Sequence, residues 1–294
     1  MSKIEVRHVS KSYGSLEAVH DVSIAVKKGT IHGLIGENGS GKTTLIKCMT
    51  GIFRPDAGEV LIDGEPVFEN PVVKAKIGYV ADSNPFFSGY TIGQMASFYA
   101  EMYQTFEKKA FEGYKKLFGL SDAQKVRGLS KGQKMRLAIC LNLAIRPEVL
   151  ILDEPTSGLD AVAKKEVLDL LVEEVEAREM TIFISSHHLA ELEKICDCLT
   201  LIKGGEVKTS DAIDEVKQSV KKIQAVFPDG LPAGLRKKYE ILDLSNTGSI
   251  YHLIIRDDSA DTCERLLADG ALLAEETPIS LEEVFIYLTK SEEG

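Results

Sequence analysis

The segment Gly36-Glu37-Asn38-Gly39-Ser40-Gly41-Lys42-Thr43-Thr44 narrows the possible folds more than any other stretch of the chain. It follows Ile31-His32-Gly33-Leu34-Ile35, a short apolar run of the buried-strand type. After it, residues 44–50 read as a helix start, ended by Gly51 with Pro55 beyond. Strand, glycine loop and helix in that order are the setting a phosphate-binding loop requires. The glycines permit positive φ, so backbone N–H groups can converge on phosphate oxygens. The helix N-terminus adds partial positive charge. In this pattern Lys42 is expected to reach the β- and γ-phosphates, and the Thr43 hydroxyl to ligate Mg²⁺.

At 294 residues the chain exceeds a typical single domain, so one large domain with a smaller appendage is expected. A hydrophobic share of 44% with 27% charged residues places it among ordinary globular proteins. No apolar run reaches about 18 residues, so no helix is expected to span a membrane. Met1-Ser2-Lys3-Ile4-Glu5 leads straight into strand-like alternation without the apolar stretch of a signal peptide, and a cytoplasmic protein is expected. Cys48, Cys140, Cys196, Cys198 and Cys263 are scattered and odd in number, which suits reduced thiols. Cys196-x-Cys198 lacks a second pair at ligand spacing and is expected to pack along a helix or its end.

Charge divides the chain. Net charge is −10, and residues 211–294 hold 17 acidic and 9 basic side chains, leaving only −2 for the first 210. Without a basic footprint, nucleic acid is not expected as a partner. Up to that break, strands alternate with helices. Strand-like segments fall at 4–9, 18–26, 31–35, 59–63, 77–81, 149–152 and 181–185. Helical patterns fall at about 91–127, 134–145 and 161–177, predicting a mostly parallel sheet. Met95, Phe98, Tyr99, Met102 and Tyr103 recur at helical spacing and are expected to be core. Beyond Gly204-Gly205 the signal weakens to a small α+β unit with strands at 223–227 and 249–255 and helices at 261–268 and 281–289.

Two further segments carry chemistry. Asp153 closes the apolar run Val149-Leu150-Ile151-Leu152, where a carboxylate can hold Mg²⁺ beside the phosphate loop. By strand alternation Glu154 is expected on the opposite side, facing an attacking water. Leu129-Ser130-Lys131-Gly132-Gln133 is a second phosphate cradle, a Ser/Gly turn at the head of a helix. One nucleotide needs only one cradle.

The motifs and their order over residues 3–210 resemble the ATP-binding cassette (ABC) ATPases. Leu129–Gln133 resembles the family signature, with Lys131 where glycine is commonest, and Ser157-Gly158-Leu159-Asp160 resembles its D-loop. Tyr13 stands where the family stacks an aromatic ring on adenine, and His187 where it keeps a γ-phosphate-sensing histidine. Asp82 stands where the family has a glutamine that touches Mg²⁺ and links to the transmembrane partner. The resemblance implies a P-loop NTPase (RecA-like) α/β core with an antiparallel β subdomain and a helical signature subdomain, at about 85–147. Residues 1–210 would form the ATPase domain and residues 211–294 an accessory α+β domain.

It further implies ATP and Mg²⁺ as ligands, with Gly36–Thr44 and Tyr13 on the nucleotide and Thr43, Asp153 and Asp82 around the metal. Lys42, Glu154 and His187 would carry hydrolysis. Ser130, Gly132 and Gln133 would complete the site only in a second subunit, so a homodimer or heterodimer is expected. A separate transmembrane permease is implied, which would place the protein on the inner face of the membrane. The tail around Leu281-Glu282-Glu283-Val284-Phe285 resembles those of bacterial cassettes that serve ABC-2-type exporters. A soluble cassette ATPase acting on a non-membrane complex is the alternative.

Overall fold

A computed structural model describes residues 2–257 and 259–290. Met1, read above as the start of the chain, and residues 291–294 of the C-terminal segment lie outside these described residues. The chain divides into two compact units, Met1–His188 with Lys194–Ser210, and Leu189–Glu193 with Asp211–Gly294. The short helix Leu189–Leu192, read from sequence as part of the first domain, thus packs with the second unit.

Among the described residues ten strands build the first unit, the last of them running two residues into the second. They are β1 (Ser2–Tyr13), β2 (Leu16–Lys27), β3 (Ile31–Ile35), β4 (Ala57–Ile62), β5 (Glu65–Pro66), β6 (Ile77–Val80), β7 (Val149–Asp153), β8 (Thr181–Ser186), β9 (Cys198–Lys203) and β10 (Glu206–Ala212). One sheet has the order β2-β1-β4-β5 and pairs antiparallel. The other has the order β10-β9-β3-β8-β7-β6, and its pairs from β9 to β6 are parallel. Every residue of β3, β7 and β8 is buried, which is why these strands read as short, mostly apolar runs rather than alternations. Each fully buried Ile, Leu or Phe side chain contributes about 2 kcal/mol, so the central strands are the firmest part of the fold. Because the strands are parallel and in register (Ile35 opposite Ser186, Asp153 opposite Ser185), their carboxyl ends finish side by side. In such sheets ligands bind at that edge.

The helical pattern of residues 91–127 breaks into two helices, Ile92–Met102 and Lys108–Leu117. Thr91 and Gln94 form a reciprocal capping box on the first, and Gly119 at φ +62° ends the second. The stripe expected in the core is mostly not there. Met95 is buried, but Met102 is 64% exposed and Phe98, Tyr99 and Tyr103 are half-buried. Periodicity identifies an apolar face without saying that the chain itself covers it. Cys198 opens β9 rather than lying on a helix.

The second unit is α+β. Strands β11 (Val220–Val226), β12 (Glu240–Thr247), β13 (Ile250–Arg256) and β14 (Leu273–Thr277) pair antiparallel in the order β12-β13-β11-β14. Ile223, Phe227, Leu253, Ile255 and Leu266 fill its core. Sequence patterning found β11 and β13 but not β12 or β14. The two missed strands form the sheet edges and bury almost nothing, so they carry little apolar alternation. Among the described residues no helix is long and apolar enough to cross a membrane.

Candidate nucleotide-binding site

The loop after β3 is built so that only glycine fits at two positions. A Cβ on Gly36 would lie 2.4 Å from Ser40 Oγ and 2.5 Å from the Ile202 carbonyl oxygen. Gly41 has φ +103°, and a Cβ there would lie 2.3 Å from the Ala18 carbonyl oxygen. The loop therefore presses its backbone against β9 and β2 and delivers the helix Lys42–Met49, two residues earlier than the helix start read from sequence. Lys42 is buried and its Nζ donates to the carbonyls of Gly36 (2.6 Å) and Glu37 (3.2 Å). The same ammonium is 3.6 Å from Glu154 Oε1. Among the described residues Ser40 Oγ and Glu154 Oε1 are buried without a hydrogen-bond partner, polar atoms that a bound ligand would satisfy.

A cleft of about 360 Å³ opens over this loop. It is lined by Tyr13, Asn38, Gly39, Gly41, Lys42, Thr43, Thr44, Asp82 and Glu154 among others, so most of the sequence-predicted residues converge on one space. Tyr13 ends β1, is 45% exposed and meets Phe53 edge-on at 6.1 Å. A ring held at its edge, with its side free, can take a flat base. Ser130, Gly132 and Gln133 are not on this lining.

The ends of β7 and β8 supply the acidic side. Asp153 is 1% exposed and its Oδ1 accepts from Ser185 Oγ at 2.8 Å. The Glu154 N–H donates to the Ser185 carbonyl oxygen and to Ser185 Oγ, both at 3.2 Å. Ser185 thus fixes both carboxylate residues, a part that sequence reasoning missed; its signal was a serine pair closing an apolar strand. Glu154 does not continue the strand alternation expected for it. It lies one residue past β7 at φ +51°, so a left-handed turn, not the pleat, aims its side chain. Its Oε2 is 2.8 Å from His187 Nδ1. Burial, then the charge of Asp153, pushes the phenol of nearby Tyr79 up to about 12, and its hydroxyl is buried without a hydrogen-bond partner among the described residues.

The second cradle forms as a helix N-terminus. Ser130 caps the helix Lys131–Ala144, accepting from the Gln133 N–H at 3.2 Å, while Gln133 Oε1 accepts from the Ser130 N–H at 3.0 Å. The box uses the Gln133 N–H and side-chain oxygen; as in any first helical turn the Lys131 and Gly132 N–H groups have no acceptor within the helix, and the Ser130 hydroxyl keeps a hydrogen to donate. Lys131 Nζ is bonded to Asp82 Oδ1 at 2.8 Å and to Ser157 Oγ at 3.2 Å. Asp82 therefore reaches the cleft already paired.

Among the described residues no group of three or more His, Cys, Asp or Glu is arranged to hold a metal ion alone. Thr43 at the cleft and buried Asp153 instead suit a cation that brings phosphate oxygens and water with it, as Mg²⁺ does.

Phosphate loop, buried acidic strand end and parallel sheet define a P-loop NTPase. The family pattern described as ABC transporter matches residues 19–157. The ABC transporter ATP-binding protein YtrB of Bacillus subtilis is 34% identical over 96% of this chain and 97% of its own. Methionine import ATP-binding protein MetN 1 of Listeria innocua is 32% identical over 88% of this chain and 81% of its own. A solved structure described as the ATP binding subunit of an ABC transporter is 27% identical, with a TM-score of 0.68 over 74% of this chain and 92% of its own. The chain belongs to the ATP-binding proteins of ABC transporters, ATPases that drive transport.

Proposed function

We propose that this chain is the ATP-hydrolysing subunit of an exporter and that it works as a dimer closed around two ATP molecules. One observation carries the dimer. The cleft holds Lys42, Thr43 and Glu154, while the outward donors of Ser130, Lys131 and Gly132 are not on its lining and stand ready for a nucleotide on a second copy. Residues 1–210 would form the ATPase domain and residues 211–294 an accessory domain, regulatory or dimerising.

In the site, Lys42 leaves its two carbonyl acceptors for the β- and γ-phosphates. Thr43 and Asp153 would hold Mg²⁺, which would neutralise phosphate charge when bound. Glu154 Oε1, buried without a hydrogen-bond partner, orients a water and accepts its proton. The water oxygen bonds to the γ-phosphorus, the bond to the β–γ bridging oxygen breaks, and ADP departs. His187, bonded to the other Glu154 oxygen, holds the carboxylate in place and meets the γ-phosphate.

A separate transmembrane permease would take up the motion. The face nearest in sequence to Asp82 supports its docking: Phe87 packs on Tyr90 and Phe98, and Phe87 and Tyr90 remain 51% and 39% exposed. Docking there would hold the chain at the inner face of the membrane. The resemblance of the acidic tail supports export; the similar methionine import protein is named for the opposite direction, so direction needs its own assay.

Glu154→Gln tests the core of this reading. The variant should bind ATP, hydrolyse it at least a hundredfold more slowly and elute as a dimer only with ATP. A variant that stays monomeric with saturating ATP refutes the sandwich. ATP-driven accumulation of substrate inside inverted vesicles carrying the chain and its permease supports export; ATP-driven loss from them refutes it.

A further inference from the structure

Lys131 and Asp82 stand 49 residues apart in the chain, and each departs from the family pattern described above. In the fold they meet. Lys131 Nζ contacts both Asp82 Oδ1 and Ser157 Oγ, and its stem crosses Gly158. A Cβ on Gly158, which has φ +75°, would lie 3.3 Å from Lys131 Cδ, so a larger residue there would press on the stem. At the next position, a Cβ on Gly132 would lie 3.0 Å from Leu159 Cδ2. One ammonium thereby joins three segments: the loop after β6, the first turn of the signature helix and the turn after Glu154.

Asp82 also lines the nucleotide cleft with Lys42 and Thr43. A bare carboxylate on that wall repels the phosphates of an incoming nucleotide, whereas one carrying its own counterion does so far less. We infer that Lys131 is a positioning residue for Asp82. It neutralises the carboxylate that replaces the family's glutamine and makes the Asp82 loop, the signature helix and the Ser157–Leu159 turn move as one piece. This rests on the nucleotide-site reading above. Both side chains are about half exposed, so the pair adds little to folding stability and its effect belongs to nucleotide binding.

The test is a double-substitution cycle on the full chain, read as equilibrium binding of a fluorescent ATP analogue with Mg²⁺, with thermal unfolding as the check that each variant is folded. Lys131→Met keeps the stem and removes the charge. It should weaken binding about three- to tenfold, the order expected for one unit charge near a nucleotide at high effective dielectric. Added salt should shrink the loss. Asp82→Asn in the Lys131→Met background should bring binding back to within about twofold of wild type. If Lys131→Met weakens binding equally with and without Asp82→Asn, or not at all, the inference fails while the nucleotide site stands. If the wild-type chain does not bind the analogue, both fall together.

Discussion

Mild acid should weaken this fold chiefly through His32 of β3, the strand that delivers the phosphate loop. The imidazole is 3% exposed, shares a 2.7 Å hydrogen bond with Thr200 Oγ1, and stacks on Phe183 with ring centroids 5.5 Å apart. Burial lowers its pKa from the ordinary 6.5 to about 4, because the cation loses its hydration and gains no counter-charge. The folded chain thus binds this proton more weakly than the unfolded one. The stability His32 contributes is complete above pH 6.5 and is lost as pH falls towards 4. That interval is worth about 3 kcal/mol in full, and about 2 kcal/mol by pH 5. Lowered carboxyls such as Asp257 and Glu283 shed their contributions as pH falls from their ordinary values of 3.8 and 4.5 to about 2, which is below pH 5. Urea unfolding followed by circular dichroism at pH 7.5 and pH 5.0 measures the loss. Wild type should lose about 2 kcal/mol more than His32→Asn, which does not titrate there. Equal losses in the two proteins would refute the assignment, as would an NMR titration placing the His32 imidazole near 6.5.

Two substitutions test the cleft. Gly41→Ala forces a Cβ to within 2.3 Å of the Ala18 carbonyl at φ +103°, so ATP binding should fall below detection, with a lowered unfolding temperature; retained micromolar affinity would refute the packing argument. Tyr13→Ala should weaken nucleotide binding about tenfold, with Tyr13→Phe near wild type, since the face of the ring and not its hydroxyl meets the base. A loss shared by both variants would assign the effect to the hydroxyl, the one group both lack, and refute the stacking reading.

What could be read from sequence and what could not divides along a physical line. The phosphate loop was legible because phosphate binding tolerates few backbones, and those backbones demand glycine; Gly36 and Gly41 are fixed by collisions with Ile202 and Ala18 that no other residue survives. β3, β7 and β8 were legible because burial on both faces leaves short, mostly apolar runs without polar alternation. β12 and β14 were not, because an edge strand is held by ladder hydrogen bonds and asks little of its side chains. The turn at Glu154 escaped because alternation extends a strand past its true end, while the φ of +51° arises from how β7 meets the loop beyond it. Lys131 and Asp82 show the deepest limit. Each taken singly is only a departure from the family pattern: a lysine where glycine is commonest, and a carboxylate beside a triphosphate. Only the fold reveals that each departure answers the other across 49 residues. A sequence states which charges a chain carries, but whether a charge is a fault or half of a pair is decided by what stands 2.8 Å away.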